Sequence, residues 1–209
     1  MTPVLITGPA LEPVSLAEMK LWLRVSTNDD DELISGLITA ARLVLEADVR
    51  LLFVEQTWRI SEDQWPNCEW YKLPLSPLRV LGQIRIFDAN NVAATLSPAI
   101  YLLDPSPMAA RIVFQNAPPQ PGRRIAGIEI IATFGFGATP QQVPEPIRLA
   151  TKMLAARWYE NRGDAAVDGA SLERLAANLN RNLGSGIPKT RQIRFNPPAG
   201  ASLETCDAA

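Results

Sequence analysis

The sequence predicts a mixed α+β chain: a helical bundle core, an inserted antiparallel β-sheet or small barrel, and an extended C-terminal tail. Three observations carry this. Apolar residues recur at three-and-four spacing in segments before residue 55 and after residue 140. Between them, short alternating runs are split by Pro, Gly and Asn. From Ser185 onward the periodicity stops. The boundaries expected are 1–55 for the N-terminal helices, 56–140 for the β insertion, 141–184 for the C-terminal helices and 185–209 for the arm.

Residues 1–13, with Pro3, Pro9 and Pro13, read as an extended lead. Ser15 and Glu18 form a capping box, with Val14 and Met19 at the staple positions, so a helix is expected to about Arg24. Asn28 or Asp29 caps the next helix, and Asp30, Asp31 and Glu32 crowd its first turn, where the helix dipole favours negative charge. Leu33, Ile34, Leu37, Ile38, Ala41, Val44, Leu45, Val49 and Leu52 then repeat over about five turns.

The period changes at Gln56. Thr57–Ile60 alternates, Trp65 and Trp70 flank a loop, and Leu73-Pro74-Leu75-Ser76-Pro77 is stiff and extended. Val80–Phe87 reads as a strand ending in the turn Asp88-Ala89-Asn90-Asn91. Shorter strands are expected at Thr95-Leu96, Tyr101–Leu103 and Arg111–Phe114, and the strongest at Ile125–Phe134. Pro144 and Pro146 suit a helix start. Ile147, Ala150, Leu154 and Trp158 share one face of that helix, which stops near Arg162-Gly163. A last helix carries Leu172, Leu175, Leu179 and Leu183, with Gly184 after it.

Composition narrows the function classes. The chain has 209 residues, 47% hydrophobic and 20% charged, enough to bury a core. Its net charge of −2 gives no global pull toward nucleic acid or membrane. The charge is uneven: residues 1–63 hold five basic and eleven acidic side chains, whereas residues 141–200 hold nine and five. Such polarity can orient subunits against each other. There is no stretch of about 18 apolar residues to span a membrane. The N-terminus lacks the basic and apolar regions of a signal peptide. The placing of the two cysteines, Cys68 and Cys206, suggests neither a CxxC pair nor a disulfide framework. Histidine is absent, which removes the commonest general base and transition-metal ligand.

Each motif that could carry chemistry has a simpler structural reading. Asp29–Glu32 lacks the spacing and glycine of a calcium loop and suits a helix start. Gly135-Phe136-Gly137 and Gly184-Ser185-Gly186 lack the Lys-Ser/Thr of a phosphate loop and suit turns. No serine sits in a nucleophile elbow. Trp58, Trp65 and Trp70 could stack on a ligand, but such residues more often fill a core or an interface. No catalytic residue, cofactor-binding residue or metal ligand is therefore assigned. In the tail, Ile193 and Phe195 alternate with Gln192 and Arg194, a pattern that could add as a strand to a partner's sheet.

Six blocks occur in a fixed order: Pro13–Glu18, Asp30–Ile34, Gln56-Thr57-Trp58, Leu73-Pro74-Leu75, Phe134–Gly137, and Val143–Ile147 running on to Trp158–Arg162. In this order and spacing, over about residues 12–165, the chain resembles the head–tail connector, or adaptor, family of tailed bacteriophages, prophages and gene transfer agents. The resemblance implies a structural virion protein, assembled in the bacterial cytoplasm, with no enzymatic activity and no cofactor. It implies a dodecameric ring beneath the portal protein at the capsid vertex, with a stopper or tail-terminator protein below. Double-stranded DNA would pass through without sequence-specific binding. A slightly acidic chain without a dense Lys/Arg run suits that passage, because clustered cations hold phosphate.

The residues expected to contact the portal or a neighbouring subunit are Leu172, Leu175, Leu179, Lys189, Arg191, Ile193, Arg194 and Phe195. Two rival readings remain open. One is an enzyme using carboxylates such as Asp88, Asp104 or Glu129. The other is a DNA-binding or regulatory module of a prophage-like element, using Arg148, Arg157, Arg162, Arg174 and Arg181.

Overall fold

The computed structural model describes residues 2–104, 110–161, 177 and 179. Strand β1 (Thr2–Thr7) precedes helices α1 (Leu16–Leu23) and α2 (Asp31–Val49). Strands β2 (Gln56–Glu62), β3 (Trp70–Lys72), β4 (Leu78–Phe87), β5 (Ala93–Thr95), β6 (Tyr101–Asp104), β7 (Arg111–Phe114) and β8 (Ile128–Phe134) follow. Helix α3 (Glu145–Glu160) comes last of these. The class is α+β.

Local chemistry sets the helix ends. The Glu18 N–H donates to Ser15 Oγ (3.2 Å), and the Ser15 N–H donates to Glu18 Oε2 (3.0 Å), closing the capping box of α1. Arg24 then takes a left-handed conformation (φ 59°), and α1 stops. Helix α2 starts at the acidic cluster, where Lys20 donates to Asp31 (2.6 Å). It stops when Arg50 turns left-handed (φ 56°), earlier than the apolar repeat suggests. Leu52, read from sequence as part of that repeat, lies beyond the helix, donates its N–H to the Ser76 carbonyl (2.8 Å) and packs with the strands.

The strands form two antiparallel sheets, ordered β1-β2-β8-β4-β5 and β3-β7-β6. Neither sheet closes into a barrel among the described residues. The larger ends at β1 on one side and at the three-residue β5 on the other. The N-terminal lead, expected only to be extended, is a true strand: Thr2 pairs with Ser61 and Leu5 with Trp58. Strand β8 alternates buried and half-buried residues, starting only at Ile128 because Ala126 has a positive φ (50°).

Two hydrophobic clusters result. The first gathers α1, α2 and α3 around Met19, Ile34, Ile38, Leu45, Phe53, Ile147 and Leu154. The second lies among the strands, around Ile60, Tyr71, Ile84, Ile112, Ile130 and Phe134. Trp65 belongs to the second, edge-on to Tyr71 (5.6 Å) and Phe114 (4.8 Å). It fills the core, as the commoner reading of the tryptophans anticipated.

Residues 51–56 join the two clusters. The Glu55 N–H donates to the Gly137 carbonyl (2.9 Å), and the Phe136 N–H to the Phe53 carbonyl (3.2 Å). Gly135 permits this approach: its φ is +122°, and a Cβ there would stand 2.5 Å from the Val54 carbonyl oxygen. Glu46 of α2 completes the joint. It accepts from the Phe53 N–H (2.7 Å), from Gln56 Nε2 (3.1 Å) and from Arg42 (2.9 Å). Arg42 also donates to Glu12 (2.7 Å).

Candidate interaction surfaces

The three carboxylates considered for catalysis are engaged in local contacts. Asp88 accepts from the Asn90 and Val92 N–H groups (2.8 Å each) and so holds its own turn. Asp104 pairs with Arg111 (2.7 Å) and Glu129 with Arg85 (2.5 Å), both across neighbouring strands. Among the described residues, no group of three or more metal-ligating side chains comes together. A cleft of about 280 Å³ lies beside the β4–β5 turn, lined mainly by apolar residues such as Phe87, Val92, Leu96 and Pro119. Asp88 borders it, with its carboxylate directed to the backbone.

Of the glycines considered for phosphate, Gly135 and Gly137 do other work. Gly135 lets β8 meet Val54, and at Gly137 a Cβ would collide with the Gln142 side chain (2.2 Å). Arg148, one of the arginines of the nucleic-acid reading, is occupied by Glu18, by Glu145 (2.8 Å) and by the Pro13 carbonyl (3.2 Å). Among the described residues, no helix is long and apolar enough to cross a membrane.

Titration shifts follow the same internal contacts. Burial pushes the Glu46 carboxyl above the ordinary glutamate value, against the pull of the Phe53 N–H, Arg42 and Gln56. Burial opposes the Arg42 charge, but Glu12 and Glu46 outweigh it and hold the guanidinium protonated. Burial also raises the Tyr71 phenol, which donates to Glu62 (2.7 Å).

The outer surface of the helices is unusually apolar. The buried face of α2 is Ile34, Ile38, Ala41 and Leu45. At about 100° per residue, Leu33, Gly36, Ala40, Leu43 and Ala47 lie on the opposite side, turned from the core. From Leu33 to Ala47, about four turns, no exposed or half-buried position of α2 is charged. Leu33 is 41% and Leu43 55% exposed. An outward helix face in water normally carries charge. Glu32 and Asp48, both exposed, flank this stripe at its two ends.

A second apolar ridge crosses α1 and α3. Leu21 (82% exposed), Trp22, Leu149 and Met153 (50%) stand out from the surface, and the Lys152 ammonium lies 5.5 Å from the Trp22 ring centroid. Arg24 is exposed at the end of α1. A third exposed feature is β1, all six of whose residues are exposed, including Val4, Leu5 and Ile6.

Gly36 permits a direct test of the stripe's openness. A Cβ there meets nothing within 4 Å. Gly36→Ala is therefore expected to stabilise the isolated chain by about 1 kcal/mol, through helix propensity and the unfolded state. Urea unfolding checks this; destabilisation would show that the position is already covered.

Of the residues expected from sequence to bind partners, Leu179 is described. It is helical, 3% exposed, and packed into the helical cluster of its own chain. Leu172, Leu175, Lys189, Arg191, Ile193, Arg194 and Phe195 lie outside the described residues. The sequence reading passed over the outer stripe of α2. Its signal was the lack of charge between Glu32 and Arg42, hidden because the stronger apolar repeat drew attention to the inner face.

Residues 13–69 match a family described as phage gp6-like head-tail connector protein. Similar solved structures come from gene transfer agent (GTA) particles. One chain, from the neck of an empty GTA particle computed with C6 symmetry, is 26% identical. That match covers 84% of this chain and 95% of the other, with a TM-score of 0.73. Chains from the virion of a native GTA particle, and from its neck computed with C12 symmetry, are 24% identical. Each of these covers 85% of this chain and 94% of the other, with a TM-score of 0.71. No curated protein sequence matches significantly.

Proposed function

We propose that this chain is a head–tail connector protein of the phage gp6-like kind and, as such, a virion structural subunit. Twelve copies would form a ring beneath the portal and link the DNA-filled capsid to the tail. The observation that carries this is the likeness to GTA neck chains along nearly their whole length, with one neck computed in C12 symmetry. The surface supports it: a ring subunit joins its neighbours through two different faces, and the helices present two distinct apolar surfaces. Carboxylates engaged in local pairs suit a role built on shape. In this reading the helices form a bundle that carries the β insertion. A stopper or tail-terminator protein binds below, and DNA passes through the lumen.

Disrupting the gene is expected to leave DNA-filled capsids and free tails, with attachment restored by the intact chain. Electron microscopy of the particles reads this; normally tailed particles would refute the assignment.

The arm at 185–209, with Lys189, Arg191, Ile193, Arg194 and Phe195, and the preceding Leu172 and Leu175 are proposed to reach the portal or a neighbouring subunit. Deleting 185–209 is expected to leave a folded protein with an unchanged circular dichroism melt that no longer docks on portal-bearing capsids. Docking at the normal level would remove the arm from the proposal.

A further inference from the structure

The outward side of α2 is a helix face without charge for about four turns. Such a face suits contact with another surface. We propose that the occupant is a second copy of this chain, which seats its α1–α3 ridge on the outer stripe of α2. The inference rests on the ring reading above and assigns its seam.

Three observations select a second copy. Stripe and ridge are different surfaces, both apolar, as a head-to-tail contact between identical subunits requires. Their rims differ in charge: the exposed Glu32 and Asp48 flank the stripe, with Arg50 beyond its C-terminal end, while Arg24 is exposed beside the ridge, where Lys152 is paired with Glu145 (3.7 Å). Their shapes also differ. The stripe is floored by Gly36 and Ala40, and a methyl group added at Gly36 would have nothing within 4 Å, so a bulky side chain can approach the backbone closely. The ridge offers bulky side chains in Trp22 and Met153, which are 46% and 50% exposed.

The edges of the sheet make a poorer seam. Continuing β5 of one copy into β1 of the next would turn each copy by the accumulated twist of five strands, about 100°. A twelvefold ring allows only 30° between neighbours, one twelfth of a turn, in the symmetry used for the similar neck.

The test uses two full-length variants, Leu43→Glu on the stripe and Met153→Glu on the ridge. Both positions are exposed, so each isolated chain is expected to keep its melting temperature. Native mass spectrometry of the purified chains, and cryo-electron microscopy of particles assembled with them, read the assembly. Each variant alone is expected to lose the ring completely. An equimolar mixture is expected to give dimers and nothing larger, because only one intact stripe can meet one intact ridge.

Rings formed by either variant would place the seam elsewhere while leaving the ring reading intact. A mixture that stays monomeric would show that the two faces are not each other's partner. A lowered melting temperature for Leu43→Glu alone would show that the chain's own residues cover the stripe. If the unaltered chain forms no ring in solution or in particles, the ring reading itself falls.

Discussion

Glu46→Ala is expected to destabilise the chain by about 3–5 kcal/mol, the range for breaking a buried ion pair. Glu46 and Arg42 are 7% and 5% exposed, so neither can turn to water. Alanine removes the acceptor for the Phe53 N–H and for Gln56 Nε2, and leaves Arg42 with Glu12 as its remaining carboxylate. Each stranded donor carries a desolvation cost of about 1–3 kcal/mol. Glu46→Gln keeps an acceptor in place and is expected to cost less than alanine. Urea unfolding at neutral pH measures both; an alanine cost below about 1 kcal/mol would mean that water replaces the carboxylate.

The pH sign separates Glu46 from Glu18. Burial raises Glu46 in the folded state, so the associated stability is present below the unfolded value and is lost as pH rises through the folded one. The backbone N–H of Ser15 is the main influence lowering Glu18, so its contribution is present above the unfolded value and is lost as pH falls. Acid sensitivity from these two groups therefore comes from the cap of α1 and not from the joint.

Phe134→Ala is expected to cost about 3–5 kcal/mol, as for other aromatic truncations in closed cores. Phe134 is fully buried at the end of β8, the central strand, where it pairs with Gln56 of β2 and Leu78 of β4. Strands on both sides limit collapse into the space left behind. Leu21→Ala is the control, since Leu21 is 82% exposed and the isolated chain is expected to lose no more than about 0.5 kcal/mol. Thermal and urea melts compare the two, and equal effects would contradict the described packing.

Elements governed by local rules were legible in sequence. The Ser15–Glu18 box placed the start of α1 because both partners lie within one turn. The acidic head placed α2, the Asp88 turn ended β4, and alternation marked β8. Other features depend on residues far apart. The pairing of β1 with β2 joins Thr2 to Ser61, and no period within residues 1–13 announces it. The end of α2 was overrun because Leu51 and Leu52 are apolar for a different reason: Leu51 packs with the helices and Leu52 with the strands. Leu179, read as a partner contact from its stripe of leucines, is buried within its own chain.

By itself the sequence determined the α+β class, the capping box of α1, the Asp88 turn and an order of blocks that pointed to a connector, because capping, turn and periodicity signals act over a few residues. Tertiary structure decided which apolar face of α2 is inside and which is left for another surface. It also decided that Glu46 would join helices to strands, and that Trp65 would be core. Burial is a property of what packs against a residue, and some of the deciding partners are distant in sequence, as Phe114 is from Trp65 and Glu12 from Arg42.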